Sequence, residues 1–204
     1  MLTENQVIEL RESLNNKGYC QVDNILSSDL IEFLKISSYI TELSSYTENN
    51  NDPSKVVSTE NMHSQMVYSS PIGETLLIYF TSLYSQISGK DLIPTYSFFR
   101  KYFKTNDLKK HKDRPSCQYS ATIQIDSSED KSWPIFIEGK DNNEIKCNSK
   151  LGSIVFYKGE EVNHWREKLE FDYSSHLFLH WVDRADPRYL PFHLDGRKTL
   201  GVPK

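Results

Sequence analysis

His111-Lys112-Asp113 sets an imidazole and a carboxylate two residues apart, so on an extended strand or at its end both side chains point to the same side. One metal ion can reach both. Six histidines and a roughly 6% frequency of Asp give about 0.4 such tripeptides by chance, so alone the motif reads first as a solvated turn. A later segment adds weight. Leu151-Gly152-Ser153-Ile154-Val155-Phe156-Tyr157-Lys158-Gly159 reads as a turn-bounded strand, and Glu160-Glu161-Val162-Asn163-His164-Trp165-Arg166-Glu167 then supplies an isolated second histidine. Two histidines and one carboxylate on a β scaffold form the facial triad that binds Fe(II) and leaves positions open for substrate and O2.

The elements around these residues can be read from periodicity and turn chemistry. Thr3 followed by Gln6 is a capping-box pattern, and Val7, Leu10 and Leu14 share one helical face until Gly18. Tyr19-Cys20-Gln21-Val22 reads as a short strand, and Ser28 is placed to cap a second helix that turns Leu30, Leu34 and Ile40 to the core. From 44 to 70 the composition shifts to Ser, Asn, Thr and Asp, a long loop or mobile lid. Pro71 opens a third helix whose stripe of Leu76, Leu77, Phe80, Leu83, Tyr84 and Ile87 ends at Gly89. Short β-branched and aromatic segments follow at 95–102, 117–125, 133–137, 152–157 and 174–182. Helices first and strands afterwards predict an α+β chain in which an antiparallel sandwich or barrel leans on N-terminal helices. A single domain, 1–204, thus divides into helical support over 1–90, a strand core over 91–184 and a tail over 185–204 that Pro187, Pro191 and Pro203 make extended.

Composition bounds the function. The chain has 204 residues, 37% hydrophobic and 25% charged, with net charge −4, which suits one globular domain with a real core. No apolar stretch approaches the roughly 20 residues of a membrane span, and the acidic N-terminus lacks the apolar core of a signal peptide, so a cytoplasmic protein without a membrane partner is expected. Cys20, Cys117 and Cys147 lack the spacing of a thiolate zinc site or a disulfide framework and read as buried thiols. The 24 basic residues are outnumbered by 28 acidic ones, and the run Lys109 to Lys112 sits beside Asp107 and Asp113, so no nucleic acid partner is expected.

Taken together, the segment Ile93 to Tyr102, the run His111 to Cys117, Trp133-Pro134, the strand Gly152 to Gly159, His164-Trp165-Arg166-Glu167 and Phe178-Leu179-His180-Trp181 resemble the landmarks of the Fe(II)- and 2-oxoglutarate-dependent dioxygenases, in particular the prolyl-hydroxylase-like group. The resemblance implies a double-stranded β-helix, or cupin-like jelly roll, with His111, Asp113 and His164 as Fe(II) ligands. It also implies that 2-oxoglutarate chelates the iron and is decarboxylated to succinate and CO2 by O2 while a substrate is hydroxylated. Related halogenases lack the carboxylate at the Asp113 position, so its presence favours hydroxylation.

The far carboxylate of 2-oxoglutarate needs a cation in a water-poor pocket. In the prolyl hydroxylases a basic residue opens the last strand, and the register puts Ser174 there, which carries no charge. Arg166 is the favoured substitute, with Lys168 next and Arg114 and Arg100 behind; Ser174 and Tyr102, which matches a pocket tyrosine of the group, would assist. A surface Arg166 paired with Glu167 or Glu170 is the alternative. Ser120 and Thr122 share a strand face and could touch cosubstrate, His176 could line the same pocket, and Trp165 could cover the iron or shape the entrance. His180 reads as a packed core residue, and His63 and His193 as loop and tail residues. The substrate is peptidyl or a small molecule. Two other readings stay open from the sequence: a non-catalytic jelly-roll binding module, and a cupin-like isomerase or hydrolase using another metal.

Overall fold

Thr3 and Gln6 exchange the reciprocal bonds of a capping box at the start of helix α1 (Glu4–Lys17), and Gly18 ends it at φ 85°, where a β-carbon would be strained. The computed structural model of the chain describes residues 2–47 and 65–202. Strand β1 (Tyr19–Val22) leads to helix α2 (Ser28–Thr47). Its cap is Ser27 rather than the expected Ser28: Ser27 Oγ accepts from the Leu30 N–H at 3.3 Å, and Ser28 is already helical. α2 buries Leu34, but Ile40 is exposed with Phe33, Ile36 and Tyr39, so the apolar spacing of this helix overstates what the core covers.

The loop expected over 44–70 is shorter than its composition suggests. Residues 44–47 finish α2, Gln65–Tyr68 form strand β2, and Ser70 caps the next helix. Pairing with a neighbouring strand, Met66 opposite Arg100 and Tyr68 opposite Phe98, fixes β2, and no local composition reveals such a partner. His63 and the remainder of that loop, 48–64, lie outside the described residues. Helix α3 (Pro71–Ser88) runs as expected from the Ser70 cap to Gly89.

The remaining strands are β3 (Leu92–Phe103), β4 (Leu108–His111), β5 (Tyr119–Ser127), β6 (Ile135–Glu138), β7 (Glu144–Cys147), β8 (Ile154–Tyr157), β9 (Asn163–Arg166) and β10 (Tyr173–Asp183). One sheet has the order β1-β8-β5-β10-β3-β2 and the other β4-β9-β6-β7, all antiparallel. From β3 onward the chain changes sheet at every connection except β6 to β7, which winds it into the double-stranded β-helix expected. Residues 1–90 supply more than helical support, since β1 and β2 close the two edges of the larger sheet.

The alternation along the central strands decides what faces inward. Tyr119, Ala121, Ile123 and Ile125 of β5 and Leu177, Leu179 and Trp181 of β10 join Leu77, Phe80, Tyr84 and Ile87 of α3 in the main core, on the helix side of the large sheet. The opposite face carries buried polar side chains instead: Ser120, Thr122 and Gln124 of β5, Ser174, His176 and His180 of β10. Two smaller apolar groups flank this interior, one around Ile135, Ile137 and Val155 and one around Tyr102, Trp133 and Phe178. The tail is a folded clasp rather than an extended strap. Leu190–Gly196 forms a kinked 3-10 stretch, Arg197 donates to Glu74 of α3 at 2.5 Å and to Thr95 O at 2.8 Å, and Asp195 accepts two bonds from Arg114 at 3.0 Å.

Burial in this interior pushes the proton affinity of His176 and His180 down, His180 to about 4. An imidazole that binds protons less well folded than unfolded leaves stability intact above pH 6.5 and withdraws it as pH falls from about 6.5 to about 4. His180 alone should cost on the order of 3 kcal/mol over that interval, since each tenfold change in proton affinity is about 1.4 kcal/mol. Denaturant titrations at pH 7 and pH 4 should therefore show a larger loss in the wild type than in His180→Asn.

Candidate active site

Antiparallel pairing of β4 with β9 sets His111 opposite His164. His111 Nδ1 lies 2.7 Å from Lys109 O and His164 Nδ1 3.3 Å from Val162 O, so each ring N–H can be spent on a carbonyl, leaving Nε2 as a lone-pair donor. Asp113, whose N–H is fixed by Gly159 O at 2.9 Å, places Oδ1 at 3.5 Å from His111 Nε2 and 3.4 Å from His164 Nε2. The two imidazole centroids are 4.4 Å apart. Donors that each bind one ion at about 2 Å must lie within about 4 Å of each other, and both carboxylate-to-imidazole separations meet that condition.

Asp113 Oδ2 is engaged separately. Ser120 Oγ donates to it at 2.9 Å and lies 2.9 Å from His180 Nδ1. Ser120 has one proton, and a bond to a carboxylate is the stronger use of it, so His180 Nδ1–H donates to Ser120 and Asp113 offers Oδ1 alone to a metal. Burial pushes the Asp113 carboxyl up, but bonds from His111 and His164 outweigh burial and hold it well below the usual carboxylate range. His111 is raised in turn, chiefly by its bond to Asp113. Two imidazole nitrogens and one ionised carboxylate oxygen, convergent on one point, are the donor set Fe(II) requires. Asp113, Cys117 and His180 make a second close group. Burial and the nearby Asp113 push the Cys117 thiol up to about 12, so it keeps its proton and suits a metal poorly.

Gly159 is a residue that sequence reasoning took only as a strand end. A β-carbon there would collide with Cys117 O and Asp113 Oδ2, so the glycine lets the chain approach the carboxylate it positions.

The three donors open into a cavity of about 160 Å³ shared with Tyr96, Phe98, Arg100, Tyr102, Phe178 and His180. His180 therefore both packs, with its ring 4.6 Å from that of Tyr96, and faces the cavity, which the core reading missed.

Arg166 is neither on the surface nor paired with Glu167 or Glu170. It is fully buried, its guanidinium 5.1 Å above the Trp133 ring, donating to Trp133 O and, at 3.2 Å, to Thr122 Oγ1. Among the described residues no carboxylate pairs with it, and its Nε has no partner. Burial lowers its proton affinity to about 10. Arg166 does not itself line the cavity; it lies on Trp133, whose ring is 4.8 Å from that of Tyr102 in the cavity wall. Tyr102 is buried with the Arg100 guanidinium 4.3 Å above its ring, and Ser174 sits opposite it on β10.

Other expectations fall away. Lys168 is exposed in a separate groove with Glu129, Trp133 and Glu170, because β9 ends at Arg166 and the chain leaves the barrel there. Arg114 is committed to Asp195. Trp165 stacks on Phe136 at 5.6 Å, beneath Lys110, and is not a lining residue of the metal cavity. Ser120 serves Asp113, and Thr122 serves Arg166.

No protein-family model matches the sequence, and no curated protein matches it. Solved structures do match the fold. A Pseudomonas putida prolyl-4-hydroxylase superimposes with TM-score 0.68 at 14% identity, over 88% of this chain and 100% of that one. An oxidoreductase of the 2OG-Fe(II) oxygenase family from Burkholderia pseudomallei gives 0.65 at 10% identity, over 89% and 92%. EctD from S. alaskensis with bound Fe gives 0.70 at 11% identity, over 98% and 87%. At such identities the likeness is one of fold, the jelly roll that these oxygenases share.

The close approach at Gly159 yields a direct test. Gly159→Ala should weaken Mn(II) binding at least tenfold, measured by electron paramagnetic resonance titration, while Gly201→Ala, strained by a φ of 78° but meeting no atom within 4 Å, should leave it unchanged.

Proposed function

We propose that the chain is an Fe(II)- and 2-oxoglutarate-dependent dioxygenase, a hydroxylase in which His111, Asp113 and His164 hold the iron. The observation that carries this reading is the pairing of a convergent two-histidine, one-carboxylate set with a buried guanidinium that lacks a counter-charge. A bound Fe(II) would supply O2 activation and chelation of the cosubstrate's 2-oxo acid end. The protein's own residues do the rest. His111 and His164 present Nε2 because backbone carbonyls occupy Nδ1; Ser120 restricts Asp113 to one oxygen; Arg166, assisted by Tyr102 and Ser174, offsets the far carboxylate.

Isolating a guanidinium in a protein interior costs several kcal/mol unless an anion compensates, and a dicarboxylate whose other end sits on the metal is an anion of the right kind. A binding module that had lost cosubstrate would have no use for that charge. The exposed side of the triad, where His111 is 39% accessible, is where a peptidyl side chain or small molecule would reach the iron. With Fe(II), O2 and 2-oxoglutarate, the wild type should release succinate above background, and Asp113→Ala should reduce that release at least a hundredfold. Equal succinate from both proteins would refute the assignment.

A further inference from the structure

Two nitrogens in the barrel interior have no hydrogen-bond partner: Arg166 Nε and His176 Nδ1. The other orphans among the described residues are four serine hydroxyls and one Glu160 oxygen; these two are the nitrogens among them, and both side chains are fully buried. Both pack on the same indole, the guanidinium 5.1 Å and the imidazole 5.6 Å from Trp133. His176 also lies 5.9 Å from Tyr102, a wall of the metal cavity. Two buried, unsatisfied nitrogens packed on one indole mark the place of a missing polar ligand.

We infer that His176 Nδ1–H is the second donor to the far carboxylate of 2-oxoglutarate, beside Arg166. The inference rests on the function proposed above. Ser174 makes it chemically coherent: its Oγ lies 2.9 Å from His176 Nε2, and when the hydroxyl donates to Nε2 the ring proton resides on Nδ1. Burial and the Arg166 charge keep the imidazole neutral, so His176 offers a hydrogen bond without adding a second charge beside Arg166. Ser174, where the resembling group carries a cation, thus acts by setting a tautomer, while the charge has moved across the barrel to β9 and the second donor two residues along β10. His176 touches no metal-ligating residue and is a binding residue for cosubstrate.

Titration calorimetry on the Zn(II) protein, which binds without turnover, tests this with 2-oxoglutarate and with 2-oxopentanoate, which lacks the far carboxylate. His176→Phe keeps the ring volume without the donor and should bind 2-oxoglutarate about tenfold more weakly, with Zn(II) and 2-oxopentanoate affinities unchanged. His176→Asn, which retains a donor near Nδ1, should recover most of the loss. In the wild type, nitrogen NMR of the side chain should show the proton on Nδ1 once 2-oxoglutarate is bound, a reading independent of how the variants fold. Unaltered 2-oxoglutarate affinity in His176→Phe, or a proton on Nε2 in the complex, would overturn the role of His176 alone. Absence of 2-oxoglutarate binding by the wild type would instead overturn the function on which it rests.

Discussion

A guanidinium sealed inside a β-barrel, with no acid beside it among the described residues, is the constraint around which this structure is arranged. Such a group is tolerated only where something compensates it, and the protein provides partial relief through Trp133 O, Thr122 and the face of the indole. The fold can carry the burden because its main apolar core lies elsewhere, between α3 and the outer face of the large sheet. β5 and β10 serve both sides at once. Their odd-numbered residues anchor the helices, and their even-numbered residues hold serine, threonine, glutamine and histidine inside the barrel.

The candidate metal donors depend on the same frame. His111 and His164 face each other because β4 and β9 pair, and Asp113 is held just beyond the strand end by Gly159 and Ser120. The folded tail adds rigidity at the mouth. Asp195 grips Arg114, the residue after Asp113, and Arg197 with Glu74 forms a buried ion pair that ties the clasp to α3. Breaking such a pair one-sidedly costs more than the pair itself contributes, so the clasp is fixed once formed.

Much of this was legible in the sequence, and the exceptions have physical causes. The capped helices and the long strands show because cap chemistry and side-chain period are local. The triad was legible as three residues of the right type in the right order, and the imidazoles fall within the reach that one ion demands. What stayed hidden depends on partners distant in sequence. β2 exists through its pairing with β3, and β4, β7 and β9 are short and largely polar, without the apolar run that reveals β8 at the same length. Ile40 has the spacing of a core residue but faces solvent, and Lys168 has the right charge but follows the end of its strand. Arg166 could be nominated by position, but its burial without a carboxylate partner is a three-dimensional fact. Gly159 carried a faint signal, a glycine ending the strand before the second histidine, that only the nearness of Asp113 explains.

The central claim is that the Arg166 charge is a cost in the empty protein, repaid by a dicarboxylate. Unfolding free energies of wild type and Arg166→Met, each with and without Zn(II) plus 2-oxoglutarate, measure it directly. Without ligand the methionine protein should be at least as stable as wild type, because an isolated charge has been replaced by an apolar chain of similar volume. With ligand at a hundredfold excess over its dissociation constant, wild type should gain about 2.7 kcal/mol beyond the effect of Zn(II) alone, and Arg166→Met nothing. A methionine variant that is markedly destabilised when empty, yet keeps the full gain from 2-oxoglutarate, would contradict the account.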